Sequence, residues 1–334
     1  MQRNVYLTGF TSFFTDVSSV ATRGWHFVLL SRFFDRVGKG IRTAPRDALI
    51  SESVPASRRG AAFGFQRTMD FAGATAGAAI CYLISLKYLD HITGTLRDIA
   101  SFYRLFIISV IPAFVGVVFL FFVRETASSI PHEGKSHPQP SLDFRRYDRR
   151  LRLFFLAHLI FTLGNSSNQF LLLRSMDLGF PLPTVVLMYL AFNLSSSILS
   201  RAMGGLSDKI GRVRLLAAGY TLYAFVYGSF GLVERSSADL LWLFWILYGI
   251  YYALTEGVEK ALVADLAPPE SKATALGLNQ AIEGIGLLFA SLLAGFLFSL
   301  APSAPFIFGA ITSLAAVVIL HSVRDRRSSA FIGG

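Results

Sequence analysis

The chain has 334 residues, 53% of them hydrophobic and only 16% charged, with a mean hydropathy of +0.52. A soluble globular domain carries about 25% charged residues, so this composition excludes one and predicts a polytopic protein of the lipid bilayer. The net charge of +10 does not imply nucleic acid, because the basic residues collect in alternate loops, and the single cysteine, Cys81, excludes an intrachain disulfide and a cysteine metal cluster.

The first apolar run, from 5 to about 20, is short, contains Asp16 and has no small-residue cleavage site after it, so it reads as a span rather than a removable leader. The second, 25 to 50, is unusually polar and carries Arg32, Asp35, Arg36, Lys39, Arg42, Arg46 and Asp47. Spans follow at 63–86 and 105–123. Residues 124–152, with Pro131, Pro138, Pro140 and several charges, read as a linker. Six more spans follow at 153–173, 182–200, 215–233, 240–265, 275–300 and 305–320. The expected fold is an all-α membrane protein of about ten spans at roughly 20 residues each. It divides into an N-terminal bundle of four over 1–123, a linker over 124–152 and a C-terminal bundle of six over 153–334.

Basic residues set the orientation. Arg58, Arg59, the linker's arginines and Lys135, Lys209, Arg212, Arg214, Lys272, Arg324, Arg326 and Arg327 all fall in loops on one side, whereas the other side has Lys87, Arg97, Arg174 and Arg235. The positive-inside rule places the first set and both termini in the cytoplasm, with the plasma (inner) membrane as the expected location. Trp25, Trp242 and Trp245 fall near outer span ends, where aromatic anchors are expected.

The chain also repeats itself. Residues 47–73 recur without a gap at 260–286: Glu52 matches Asp265, Pro55 matches Pro268, Gly64 matches Gly277, Asp70 matches Glu283 and Gly73 matches Gly286. A parallel repeat in so apolar a chain is the sign of a transporter built from two similar halves. A weaker echo pairs Ser18-Ser19 with Ser166-Ser167 at a shorter offset. The difference between the offsets predicts that the first half lacks roughly 65 residues, about two helices, between Ser19 and Trp25.

Charges inside spans cost about 2.5–3.5 kcal/mol each on insertion scales, so they are functional candidates. Helical spacing lines up Asp35, Lys39, Arg42 and Arg46 on one face. That face is either the basic wall of a central cavity, which would attract an anionic substrate or steer protons, or, for Arg42, Arg46 and Asp47, a set of side chains snorkelling to the interface. Glu256, Glu259 and Lys260 share a helix, Glu283 lies on the next, and Arg67 and Asp70 are one turn apart. Desolvation favours a neutral carboxyl, so Glu256, Glu259, Glu283 and Asp70 are candidates for proton coupling. The competing readings are a Glu256–Lys260 pair and an Arg67–Asp70 pair that only tie helices together. Asn165, Ser166, Ser167, Asn168 and Gln169 form a polar cluster in an apolar span, with Asn193 in the next, and such amides either bind a small solute or bond helix to helix. His158 and Cys81 read as packing residues. Gly73/Gly77 and Gly284/Gly286 are expected where helices approach closely. No metal cluster, nucleotide motif or nucleophile–base constellation is visible, so neither an enzyme nor a cofactor is expected, and the chain is expected to act as a monomer.

The segment Gly204-Gly205-Leu206-Ser207-Asp208-Lys209-Ile210-Gly211-Arg212-Val213-Arg214 resembles the G-x-L-x-D-r-x-G-r signature loop of the major facilitator superfamily. Residues 35–50, 163–174 and 256–268 resemble one prokaryotic branch of that family whose substrates are mostly unassigned. The resemblance runs over nearly the whole chain, but the N-terminal copy of the signature is absent. It implies a secondary transporter of a small solute by alternating access, proton-driven. The alternative is an internally deleted, transport-inactive remnant or membrane scaffold. It also implies a substrate cavity at Asn165, Ser166, Asn168, Gln169, Asn193, Arg32 and Lys39. Arg32 is similar to the family's fourth-helix arginine, although Gly38 and Gly40 come two residues late. Finally, it implies a gate latch at Asp208 and Arg212, with Asp265 and Arg201 as partners.

Overall fold

The computed structural model describes residues 43–88 and 147–323, and among these every regular element is helical. Residues 43–52 form α1. After a 3-10 turn at Ala56–Arg58 comes α2, Arg59–Tyr88. The C-terminal bundle follows: α3 Arg149–Gly164, α4 Gln169–Asp177, α5 Leu182–Ile210, α6 Arg212–Leu232, α7 Leu241–Leu266, α8 Lys272–Leu300 and α9 Ala304–Leu320. Four stretches are long and apolar enough to cross a membrane, Leu182–Ile210, Arg212–Leu232, Arg235–Leu266 and Pro269–Leu300, and Ala304–Leu320 is a shorter apolar helix. The predicted spans at 5–20 and 105–123, most of the one at 25–50, and the proposed gap after Ser19 lie outside the described residues. So do Arg32 and Lys39.

Three boundaries differ from the sequence reading. The span at 153–173 is two helices, broken at Asn165, which caps α3 by donating its backbone N–H to the carbonyls of Phe161 and Thr162. Three consecutive small polar residues there compete for backbone hydrogen bonds, which disfavours a continuous helix. The linker ends early, because Asp148 caps α3 by accepting from the backbone of Arg149. The signature segment is helical on both sides of Gly211, a one-residue hinge at φ 99° that a residue with a Cβ rarely adopts.

The core lies among α3, α6 and α7 and is mostly aromatic. Phe161 stacks on Tyr220 at 3.9 Å between ring centroids, and Tyr223 stacks on Tyr227 at 4.1 Å. Trp245, read as an interfacial anchor, is instead fully buried here and donates its indole N–H to Ser175 at 3.1 Å. Outside the core, α8 leaves Ile285, Leu288, Phe289, Leu292 and Phe296 exposed and α9 leaves Ile311, Leu314 and Val318 exposed, as a lipid-facing surface requires.

Serine and glycine set the helix crossings. Ser196 of α5 donates to the Gly249 carbonyl of α7 at 3.1 Å, and Ser197 donates to the Thr68 carbonyl of α2 at 3.1 Å. α2 meets α5 at Gly60, Gly64 and Gly204, where a methyl on Gly60 would run into the Gly204 carbonyl oxygen. Of the four glycines expected at close approaches, only Gly286 is at one, against Thr162; Gly73, Gly77 and Gly284 have open space where a Cβ would sit.

Candidate functional site

At one end of the bundle, Asp208 closes the start of α2. Its Oδ1 accepts the backbone N–H of Gly60 at 3.0 Å and its Oδ2 that of Ala61 at 2.9 Å. Four N–H groups at a helix start have no partner within the helix, and the helix dipole favours an anion there. Glycine at 60 and 204 lets the two backbones come near enough for this. Arg212, on the far side of the Gly211 hinge, pairs with Asp208 at 3.0 Å and with Asp265 at 2.5 Å, and donates to the Ala56 carbonyl at 3.0 Å. Arg59 reaches Asp265 at 2.8 Å and the Ala264 carbonyl at 3.1 Å. Asp265 thus takes one arginine from each segment. Arg201 is not in this cluster: its guanidinium lies 5.5 Å over the Phe65 ring, and its backbone N–H bonds Thr68.

Deeper in the bundle the charges also join the two segments. Asp47 of α1, 0% exposed, pairs with Lys260 of α7 at 2.7 Å, and Arg46 flanks it at 3.1 Å. The alternative that Asp47 snorkels to the interface therefore fails. Arg67 of α2 pairs with Glu256 of α7 at 2.7 Å and with Asp70 at 3.4 Å, and Gln66 also donates to Asp70. The Glu256–Lys260 pair is not formed, because each residue is bound to a partner on a different helix. The Arg67–Asp70 pair is formed but is the longer of the two that Arg67 makes. On α8, Glu283 accepts from Gln280 at 3.2 Å.

The break between α3 and α4 is ringed by tyrosines. Tyr223 donates to the Gly164 carbonyl at 3.0 Å, which also accepts the Ser166 backbone N–H, and Tyr227 to that of Ser166 at 3.5 Å, while Tyr248 and Tyr252 both donate to Asn168 Oδ1, at 2.8 and 3.3 Å. Phe71 of α2 packs edge-on against Tyr252 and Phe192, so the aromatic wall continues onto the N-terminal segment. Asn165 Oδ1 and Ser166 Oγ are buried beside this break without a hydrogen-bond partner in the protein. Gln169 opens α4 and is exposed, whereas Asn193 is buried on α5 and spends its amide on the Tyr189 carbonyl at 2.8 Å.

The fold therefore brings Asn165, Ser166 and Asn168 together, and groups Asp208, Arg212 and Asp265. It sets Asn193 and Arg201 apart from those groups. Sequence reading missed Arg59 and Arg67 as inter-segment partners and missed the tyrosine ring. The available signals were the intramembrane position of Arg67 and the Tyr248, Tyr251, Tyr252 spacing, which recurs within one helical turn.

Among known proteins, residues 2–200 and 154–333 each match the family model of the Major Facilitator Superfamily. An uncharacterized MFS-type transporter of Methanocaldococcus jannaschii is 36% identical over 305 residues, spanning 90% of this chain and 72% of the relative. The human organic anion transporter MFSD10 superposes with a TM-score of 0.72 at 18% identity, over 95% of this chain and 76% of that one. The proton:xylose symporter XylE superposes with a TM-score of 0.73 at 15% identity, over 96% and 79%. At such identities the two structures report the fold alone.

Proposed function

The chain belongs to the major facilitator superfamily, and on that premise we propose that it is a secondary active transporter that carries a small solute across the plasma membrane by alternating access, driven by protons. The observation that supports this most directly is the cluster of Asp208, Arg212, Asp265 and Arg59. Its bonds run between two segments of the chain, end on helix termini and polar side chains, and close one end of the bundle. In the positive-inside orientation that end is cytoplasmic, and both termini lie on the same side. Separating the segments would break these bonds together and expose the tyrosine-lined break, while the rest of the C-terminal core could move as one body. The carboxylates Glu256, Glu259, Glu283 and Asp70 are the proton-coupling candidates, and the break at Asn165, Ser166 and Asn168 is the solute-binding candidate. The basic face of residues 25–50 would suit an anionic solute.

The test is reconstitution of the full chain in liposomes enclosing a pH dye, with spin labels at Arg58→Cys and Lys209→Cys, both exposed positions, in a Cys81→Ser background. Pentoses, deoxyhexoses and aromatic carboxylates are offered in turn. Transport by alternating access requires that one class move protons with it and lengthen the label distance. No proton movement with any class, together with a fixed label distance, would overturn the reading.

That outcome would favour the second reading, a transport-inactive family member. Two observations support it: the archaeal relative is matched over 72% of its length while 90% of this chain is used, and the two repeat offsets differ by roughly two helices' worth of residues.

A further inference from the structure

His158 is 3% exposed at the centre of the C-terminal bundle. Its ring lies parallel to Phe154, with Nδ1 3.3 Å from the Tyr220 hydroxyl and 3.7 Å from Glu259 Oε2. Tyr220 donates its only hydrogen to Glu259 Oε1 at 3.0 Å. A phenol that has given its hydrogen away can only accept, so the imidazole must donate to it from Nδ1. The lone pair then belongs to Nε2, which is buried and has no hydrogen-bond partner in the protein. A buried acceptor left so is unfavourable and favours gaining a proton.

The charges around the site point the same way. Glu256 has Arg67, Asp47 has Lys260, and Asp208 and Asp265 have Arg212. Glu259 is held by a phenol and an imidazole, neither a permanent cation. From α8, Glu283 acts on the imidazole. Glu259 is faced by Glu256 of α7, by Glu283 of α8 and by the Arg67 guanidinium of α2, which is bound to Glu256, and Tyr251 stands near Tyr220 and Glu259. The helix α9, which packs against α3, has no ionisable side chain in Ala304–Leu320.

We propose that His158, Tyr220 and Glu259 form a one-proton site, in which a proton adds to Nε2 of the neutral imidazole and leaves from the same atom. Loading takes the pair from imidazole plus carboxylate, net charge −1, to imidazolium plus carboxylate, net charge 0. No covalent bond other than N–H is made or broken. Tyr220 positions the ring and transmits the attraction of the carboxylate. The site rests on the proton-coupled reading above and deepens it: it makes His158, read from sequence as packing, the proton carrier, and leaves Glu256 as the partner of Arg67.

The experiment is NMR of the ¹⁵N-histidine-labelled full chain in lipid nanodiscs across roughly pH 5 to 9, with the His158 signal assigned by its loss in His158→Asn. The wild type is expected to show Nε2 passing from unprotonated to protonated in one step. In Glu259→Gln the midpoint of that step should be displaced by roughly one pH unit or more. Tyr220→Phe, which keeps the stacked ring, should change the Nδ1 signal. In liposomes, His158→Asn should lose gradient-driven accumulation by about tenfold or more while retaining solute exchange, a loss of about 1.4 kcal/mol or more. A His158 signal that stays in one state over the whole range overturns the proposal, as does a step left unchanged in Glu259→Gln. Absence of transport in every chain, wild type included, overturns the transporter reading instead, because the titration is read at equilibrium without transport.

Discussion

Asp47 and Lys260 occupy the same position of the internal repeat, carry opposite charges, and meet at 2.7 Å in a site closed to solvent. The same symmetry relates two close contacts at glycines. A methyl on Gly257 would lie 3.0 Å from the Gly64 backbone nitrogen, and the equivalent positions Gly277 and Ala44 are also neighbours. The two copies of the repeat thus face each other, and at the position where an identical repeat would bring like charges together the sequence holds a complementary pair.

Breaking that pair from one side is expected to be severe. Lys260→Met removes the buried counter-charge of Asp47 and leaves it only the part-exposed Arg46 guanidinium at 3.1 Å, and breaking a buried pair from one side costs about 3–5 kcal/mol. The double variant Asp47→Asn/Lys260→Met should recover most of that loss, since it removes both fully buried charges and leaves only Arg46, which reaches solvent. Thermal unfolding of purified protein, followed by size-exclusion fluorescence, gives the double-mutant cycle. Additive single effects would mean that the two residues are not coupled.

Asp208→Asn keeps the shape of the side chain but removes the charge at the start of α2 and the pairing with Arg212. Charge-assisted hydrogen bonds contribute about 1.5–3 kcal/mol each, so the closed arrangement should lose population by about tenfold or more. Transport should be abolished while expression and solute binding stay near normal. The label pair at 58 and 209 should report a longer mean distance. Unchanged transport and unchanged distance would show that Asp208 does not hold the gate.

Gly64→Val probes the helix contact rather than the charges. A Cβ at Gly64 would lie 2.5 Å from the Ser200 carbonyl oxygen, a backbone atom that cannot turn aside. Overpacking of this kind costs about 1–3 kcal/mol, and the substitution should lower the melting temperature. Gly73→Val, with open space at its Cβ, is the matched control and should change it little. Equal effects at both positions would contradict the crossing described above.

Insertion of two helices between Ser19 and Trp25, taken from a longer relative, tests the repeat argument. If the N-terminal half is short by that amount, the unmodified chain should transport little and the insertion should raise proton-coupled uptake by about tenfold or more, equivalent to about 1.4 kcal/mol. Robust uptake by the unmodified 334-residue chain, unimproved by insertion, would show that the shorter half suffices.

The sequence by itself determined the class of the molecule. Low charge and long apolar runs admit only a membrane protein, the signature around Asp208 and the two-copy repeat point to one family, and intramembrane carboxylates mark Glu256 and Glu259 because a charge in the bilayer is costly wherever the chain puts it. Those properties are local or one-dimensional, and a linear reading reaches them. Partnership is neither. Glu256 and Lys260 are one turn apart and look like a pair, yet each binds a residue some two hundred positions away, on α2 and α1, because helix packing turned their side chains toward different neighbours. Arg201 has the same charge as Arg59 and lies near Asp208 in sequence, but only Arg59 sits at the helix start that the latch closes. His158 looks like packing until Tyr220 and Glu259 arrive from α6 and α7. Which polar groups meet in a bundle depends on crossing points set by Gly60, Gly64 and Gly204, and those are decided only when the helices are brought together in three dimensions.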